Sequence, residues 1–408
     1  MQPGLRTLLV LGLLWMGGSV SHAQGQLPTE QQLNPLGLTL MWWGQATIDR
    51  NRDQVEFISA DEQNLYIQSR TGIITTFGVE NGRRLWDALL GSPDRVGYPA
   101  SSNDEQLLIT SGLTIYSLDK MTGRVLWQLL VPTLPSASPE VDANAAYIGS
   151  VDGSVYAFDL ARVRELHQEG RLPQWAHLAR MWRYKAPSEI IAPPVSTGAT
   201  VAFVSKQGMV VGVAAKSKKL KFQFETDARI YTPLGRSGNL IFVADQHSRL
   251  YCLNQENGAM LWSFSTGAPV VQMPQVIGGH VFAVPHREGL ECISVESGYR
   301  IWKNERITRF VAASDTKVYA SDLSENLLVL DRSNGKIISA LPMRGFPRRI
   351  SNDRTDRVIL ATNDGLVLCL REIGSDFPTY HLYPERRPIL PELAPEEDAK
   401  AAEMPEQN

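Results

Sequence analysis

The chain has 408 residues, with 40 Lys and Arg against 43 Asp and Glu, a formal net charge of −3 and a pI near 6.2. That balance excludes a nucleic-acid binder, which would carry a basic stripe. The length exceeds that of an ordinary single core, so either several domains or a repeated core is required.

Residues 1–23 read as a secretory signal peptide. Arg6 precedes an apolar stretch from Leu8 to Met16, and Ser21-His22-Ala23 offers a small-x-small cleavage site before Gln24. The stretch is too short to span a bilayer, and no Cys follows it to take a lipid. The expected product is exported and soluble, periplasmic or extracellular, with no transmembrane segment. A lead-in over residues 24–37 brings the chain to Leu38-Thr-Leu-Met-Trp-Trp43, which reads as a strand standing alone.

From Leu65 to Gly374 one pattern recurs eight times. Its fullest copies run from Ile115 to Trp127 and from Leu250 to Trp262. The aromatic anchors fall at Trp86, Trp127, Trp182, Phe222, Trp262 and Trp302, most of them 40 or 41 residues apart. A period near 40 with four short strands per unit is the mark of a β-propeller. In the unit that begins near Pro233, Leu240–Ala244, Arg249–Leu253 and Met260–Phe264 are short runs rich in β-branched and aromatic residues, separated by Gly, Asn and Asp. A short inner strand is expected ahead of them, beside the Pro that opens the unit (Pro99, Pro139, Pro194, Pro233 and Pro274). Gly82, Gly123, Gly258, Gly298 and Gly335 close the turn before each fourth strand, where positive φ is needed. The Trp that follows is expected to anchor one blade against its neighbour.

The units centre on turns at Gly72, Gly112, Gly153, Gly208, Ser248, Gly289, Glu325 and Gly365. This predicts an all-β, eight-bladed propeller of four-stranded antiparallel blades over residues 38–383. The eighth unit stops after Leu366–Leu370 without a fourth strand or a Trp. Trp43 lies 43 residues ahead of Trp86, so Leu38–Trp43 is expected to complete that blade, with Trp43 as its anchor. Such closure removes exposed sheet edges.

The long interval from Trp127 to Trp182 holds an insertion, residues 161–180, with Arg162–Glu169 expected as helix on the face opposite the loops between blades. Residues 384–408 carry five Pro, seven acidic and three basic residues and no aromatic. Such a segment cannot bury enough apolar surface to offset its ordering entropy, and it is expected to be disordered.

No catalytic constellation stands out: there is no Ser-His-Asp spacing, phosphate loop or acid pair. Cys252, Cys292 and Cys369 occupy one repeated core position, too far apart to pair, and read as small hydrophobes. His247 and His286, with Asp245 and Glu288 nearby, fall in turns of neighbouring blades without a ligand spacing, and no metal or cofactor is expected. The loops between blades are different. Asp94-Arg95, Asp227-Ala-Arg229, Arg306 with Arg309, and Arg348-Arg349 put charge at related places on one face around the central channel. Several Arg there would make a positive rim able to clamp carboxylates, and Arg95, Asp227, Arg229, Arg306, Arg309, Arg348 and Arg349 are the candidates for binding a protein partner.

Leu118-Asp119, Thr122-Gly123, Trp127 and the run Asp152–Asp159 carry a resemblance to the pyrroloquinoline-quinone (PQQ) repeat family. It covers about 330 residues and implies the eight-bladed fold. Two branches share the repeat. Quinoprotein dehydrogenases hold PQQ and Ca²⁺ in the funnel and use an adjacent Cys pair and an Asp base; this chain is shorter and lacks that pair. The BamB-like branch is a non-catalytic scaffold of outer-membrane protein assembly. The resemblance implies a monomeric, non-enzymatic interaction scaffold of the cell envelope, with a small PQQ-dependent dehydrogenase as the alternative.

Overall fold

The computed structural model describes residues 27–382. The expected signal peptide and acidic tail lie outside the described residues. Within them the strands form eight four-stranded sheets, each antiparallel throughout. Blades I to VII run in order: I is Val55–Leu89, II Ser101–Leu130, III Glu140–Lys185, IV Val195–Glu225, V Gly235–Ser265, VI Gln275–Asn304 and VII Ile307–Pro342. Blade VIII takes three strands from Arg348–Glu372 and its outer strand, Leu38–Gln45, from the other end of the chain.

Proline sets the length of the inner strands. Those of blades II to VI and VIII, each preceded within three residues by Pro, are only two or three residues long. Blades I and VII have no such Pro, and their inner strands, Val55–Ala60 and Ile307–Ala313, run to six and seven residues. Pro has no N–H for the ladder and shortens pairing where it stands. In blades I, II, III and VIII the turn after the inner strand is built by an Asx residue. Asp61, Asn103, Asp142 and Asn352 each accept two backbone N–H bonds from the next few residues, at 2.8–3.0 Å.

The core is as periodic as the sequence. Eight buried apolar clusters fill the eight seams between blades. The seam that closes the ring resembles the rest, with Trp42, Leu65, Phe77, Ile359, Val367 and Cys369 packed together. Leu33 and Leu36, from the short helical lead-in, are buried in the adjoining seam.

The aromatic anchors do bridge the blades. Trp86 Nε1 donates to Lys120 O of the next blade at 2.9 Å, Trp182 to Ala215 O at 2.8 Å, Trp262 to Val295 O at 2.7 Å and Trp302 to Arg332 O at 2.7 Å. Trp127 is the exception, donating to Gln106 Oε1 of its own blade at 3.1 Å. The glycines before the fourth strands have positive φ, as expected, and a second reason to be glycine. A Cβ at Gly123 or Gly298 would stand 2.5–2.6 Å from the indole of the preceding blade's Trp. Phe222 lies on Gly258 in the same way.

The assignment of the closing anchor requires correction. Trp43 is 55% exposed, whereas Trp42 is buried at 7%, lies on Gly82 and donates Nε1 to Val79 O of blade I at 2.6 Å. The cause is a β-bulge. In all eight blades the register slips by one residue where the third strand meets the fourth, here between Leu40 and Trp42. The residue just past the slip faces the seam: Trp42 opposite Cys369, Trp262 opposite Cys252, Trp302 opposite Cys292. A shift of one residue turns a side chain to the other face of a strand. Trp42→Ala should therefore cost about 3–5 kcal/mol, while Trp43→Ala should stay within about 0.5 kcal/mol. Chemical denaturation of the two variants side by side checks this, and equal losses would contradict the register.

The insertion in blade III follows its third strand. Asp159 caps a helix, Leu160–Gln168, by accepting from the N–H groups of Ala161 and Arg162. Leu160, Val163 and Leu166 are buried in the seam with Trp127 and Leu129 of blade II. A short 3₁₀ turn, Ala176–Ala179, returns the chain to the outer strand at Arg180.

Candidate interaction face

Two sets of connections define one end of the propeller: the loops joining an outer strand to the next inner strand, and the turns between second and third strands. Every charged candidate belongs to the first set or to the strand residues just after it. Arg95 is exposed and borders a groove of about 310 Å³ between blades I and II, with Phe57, Arg70, Pro93, Asp94 and Val96. Asp227 and Arg229 are exposed in the loop between blades IV and V. Arg306 is exposed at the tight turn between blades VI and VII, 4.0 Å from Asp322, and Arg309 is exposed on the inner strand that follows. Arg348 is half-buried and donates Nε to Asn363 Oδ1 at 2.8 Å.

Arg349 does not belong with them. It is buried, and its guanidinium is taken up by three backbone carbonyls: Nε donates to Phe346 O at 3.1 Å, and Nη2 to Glu325 O at 2.6 Å and Met343 O at 3.2 Å. Burial also lowers its pKa from the usual value. Arg349 ties the loop 343–347 to blade VII; neighbours in sequence, it and Arg348 point to opposite faces of a strand and have different roles.

A reading by charge missed the apolar half of this face. Tyr231 is 48% exposed, Val271 53% and Leu323 88%. Tyr231 and Val271 each follow a buried residue, Ile230 or Val270, that makes a single bridge to the neighbouring turn. The signal was present: an apolar residue at the position where alternation in two successive loops demands a solvent-facing side chain. With Arg229, Arg306 and Arg309, these residues make a sector over blades IV to VII that mixes Tyr, aliphatic side chains and Arg. That is the composition of a protein-binding surface core.

The channel is chemically closed on itself. Its cavity of about 250 Å³ is walled by Ser138, Pro139, Pro194, Pro233, Met273 and Pro274. Its charges are paired internally, Arg236 with Glu140 at 2.9 Å and Arg354 with Glu62 at 3.3 Å. At one end the chain folds back over it: Thr379 N–H donates to Asp356 Oδ1 at 3.1 Å, and Leu382 lines the cavity. A quinone and calcium site does not fit these residues. The three cysteines lie in third strands of blades V, VI and VIII, fully buried, and burial pushes the Cys252 and Cys292 thiols up to about 12. Among the described residues no three His, Cys, Asp or Glu side chains gather as a metal site. His247 and His286 are exposed, Asp245 accepts from Tyr251 Oη, and Glu288 pairs with Lys303 at 2.6 Å. Among the described residues no helix is long and apolar enough to cross a membrane.

Fold, repeat and seam anchors together define a propeller of the PQQ-repeat class. Within that class, the family model described as outer membrane protein assembly factor BamB matches residues 70–217 and 225–372. The chain belongs to that family. The outer membrane protein assembly factor BamB of Burkholderia pseudomallei is 23% identical over 276 residues, covering 63% of this chain and 68% of that protein. The protein of the same name from Shewanella oneidensis is 23% identical over 213 residues, and the match spans 51% of this chain and 52% of that relative. The crystal structure of BamB from Moraxella catarrhalis superposes with a TM-score of 0.63 at 15% identity, over 82% of this chain and 97% of that one. That likeness concerns the fold.

Proposed function

We propose that this protein is an exported, non-enzymatic scaffold of outer-membrane protein assembly, monomeric itself, that holds a protein component of the assembly machinery against the loop face of blades IV to VII. Membership of the BamB family supports the process. The observation that carries the site is the combination on that face of exposed Tyr231, Val271 and Leu323 with exposed Arg229, Arg306 and Arg309, while the channel's own charges are spent on one another.

The test is the double reversal Arg229→Glu with Arg309→Glu. Both side chains are exposed, so the melting temperature should not move. Truncating or reversing charges at the heart of an interface costs about 2 kcal/mol or more. Recovery of an outer-membrane assembly component from envelope extracts should therefore fall at least about tenfold. Undiminished recovery of that component by the folded double variant would place the binding face elsewhere. Failure of the parent protein to retain any such component, under conditions that keep assemblies intact, would sink the scaffold reading itself.

A further inference from the structure

We infer that the edge of blades III and IV carries a second docking surface, on the opposite end of the propeller from the loop face, that fits an anionic phospholipid bilayer. It is built from two connections between third and fourth strands. The first is the insertion of blade III. Its inner face is buried against blade II, but Trp175 is 46% exposed, Leu178 39% and Met181 37%. His177 packs against Trp175 with the rings tilted and their centroids 5.8 Å apart, and the Arg171 guanidinium sits 5.4 Å from the indole. The second is the turn of blade IV, where Lys216, Lys218, Lys219 and Leu220 are all exposed. Trp182, on the outer strand that follows the insertion, ties blade III to the second turn: its Nε1 donates to Ala215 O, next to Lys216, at 2.8 Å.

The charge on this edge is unbalanced. The run Ala215–Lys221 has four lysines and no acid, in a chain whose net charge is −3. Among the described residues Lys216, Lys218 and Lys219 form no ion pair, while the neighbouring acids are already neutralised: Glu256 by Lys221 at 2.6 Å, Glu165 by Arg162 at 2.7 Å and Glu169 by Arg171 at 3.1 Å. Exposed ammonium groups and Leu220 on one turn, with exposed Trp, Leu and Met on the neighbouring blade's connection at the same end of the propeller, have the make-up of an interfacial surface. The indole sits at headgroup level, the aliphatic side chains enter the acyl boundary, and the lysines meet anionic headgroups. An acidic protein is the poorer occupant. Lysine is depleted from protein interfaces, whereas a fluid anionic surface accepts flexible point charges without fixing them. Seated by this edge, the propeller would leave the loop face of blades IV to VII open, though the inference does not depend on what binds there.

The experiment is co-sedimentation of the purified full chain with vesicles of phosphatidylcholine and phosphatidylglycerol in equal parts, against vesicles of phosphatidylcholine alone. Binding to the mixed vesicles at low ionic strength, lost in high salt and absent from the neutral vesicles, is expected. Replacing Lys216, Lys218 and Lys219 together by Gln should weaken it on the order of a hundredfold, with no change in melting temperature. Trp175→Ala should weaken it while leaving the salt dependence intact. A parent chain that ignores the anionic vesicles, or a triple variant that binds them as the parent does, overturns the inference. So does binding to polyglutamate without binding to vesicles, which would assign the patch to an acidic protein.

Discussion

Removing Leu38–Gln45 should destroy the ring rather than trim it. This strand pairs along its length with Leu366–Glu372, from Leu38 opposite Glu372 to Gln45 opposite Leu366. Without it the third strand of blade VIII presents a row of unpaired N–H and C=O groups, a ready template for edge-to-edge aggregation. The same cut removes Trp42 from the seam with blade I, where it stacks on Phe77 at 6.0 Å and covers Gly82. Seven seams would survive and the eighth would open to water. Because a domain's whole stability is only about 5–15 kcal/mol, loss of both a strand and a seam is expected to abolish a cooperative melt or to drive the chain into soluble oligomers. Calorimetry and size-exclusion chromatography read the two outcomes. A truncated chain that stays monomeric and melts with its parent would show that the ring closes in some other way.

Arg357→Ala should cost about 3–5 kcal/mol through the same seam. The Arg357 side chain is fully buried. From blade VIII it reaches into blade I to form a two-pronged pair with Glu80, Nε to Oε1 at 3.1 Å and Nη2 to Oε2 at 2.9 Å. Asp356 lies 3.5 Å away, and Nη1 donates to Ser375 O at 3.2 Å, holding the chain's return over the channel. Burial opposes the charge, but hydrogen bonds with Glu80 and the charges of Asp356 and Glu80 outweigh it and hold the pKa above its ordinary value. Taking out the cation leaves Asp356, itself buried, without its counter-charge, and leaves a void the size of a guanidinium. Urea titration gives the loss. The companion Glu80→Gln keeps the volume and one acceptor, so it should cost clearly less. Equal losses would mean that packing, and not the charge pair, holds the seam.

How the two ends meet was legible because closure follows from counting. A last unit short of one strand and a lone strand ahead of the first unit can satisfy each other only by pairing. The period, the eight turns, and the glycines beneath the anchors were legible for a similar reason: strands and tight turns leave local marks, in alternation and in residues that tolerate positive φ. The identity of the closing anchor was not. Trp42 and Trp43 differ by one step along a strand, and the bulge that decides between them is an event of pairing with Cys369, 327 residues away. One hint was available, since Cys252 and Cys292 face Trp262 and Trp302 in the same way.

The candidate face divides along the same line. Charge in the loops between blades marked Arg95, Asp227, Arg229, Arg306, Arg309 and Arg348, all of which lie at one end of the ring. Whether an arginine there is free to meet a partner depends on which carbonyls surround it. Arg349 finds three, from residues 325 to 346, and is withdrawn into the fold.

By itself, then, the sequence determined the repeat: eight units, their strands and turns, and the end at which the variable loops gather. These depend on residues within a few positions of one another. Tertiary structure alone decided which of two adjacent tryptophans seals the ring, which of two adjacent arginines is withdrawn into the fold, and that Trp182 of blade III reaches the turn of blade IV that carries the lysines. Each of those outcomes depends on register or proximity between distant segments. Such relations exist only once the ring has closed, and no local pattern of residues encodes them.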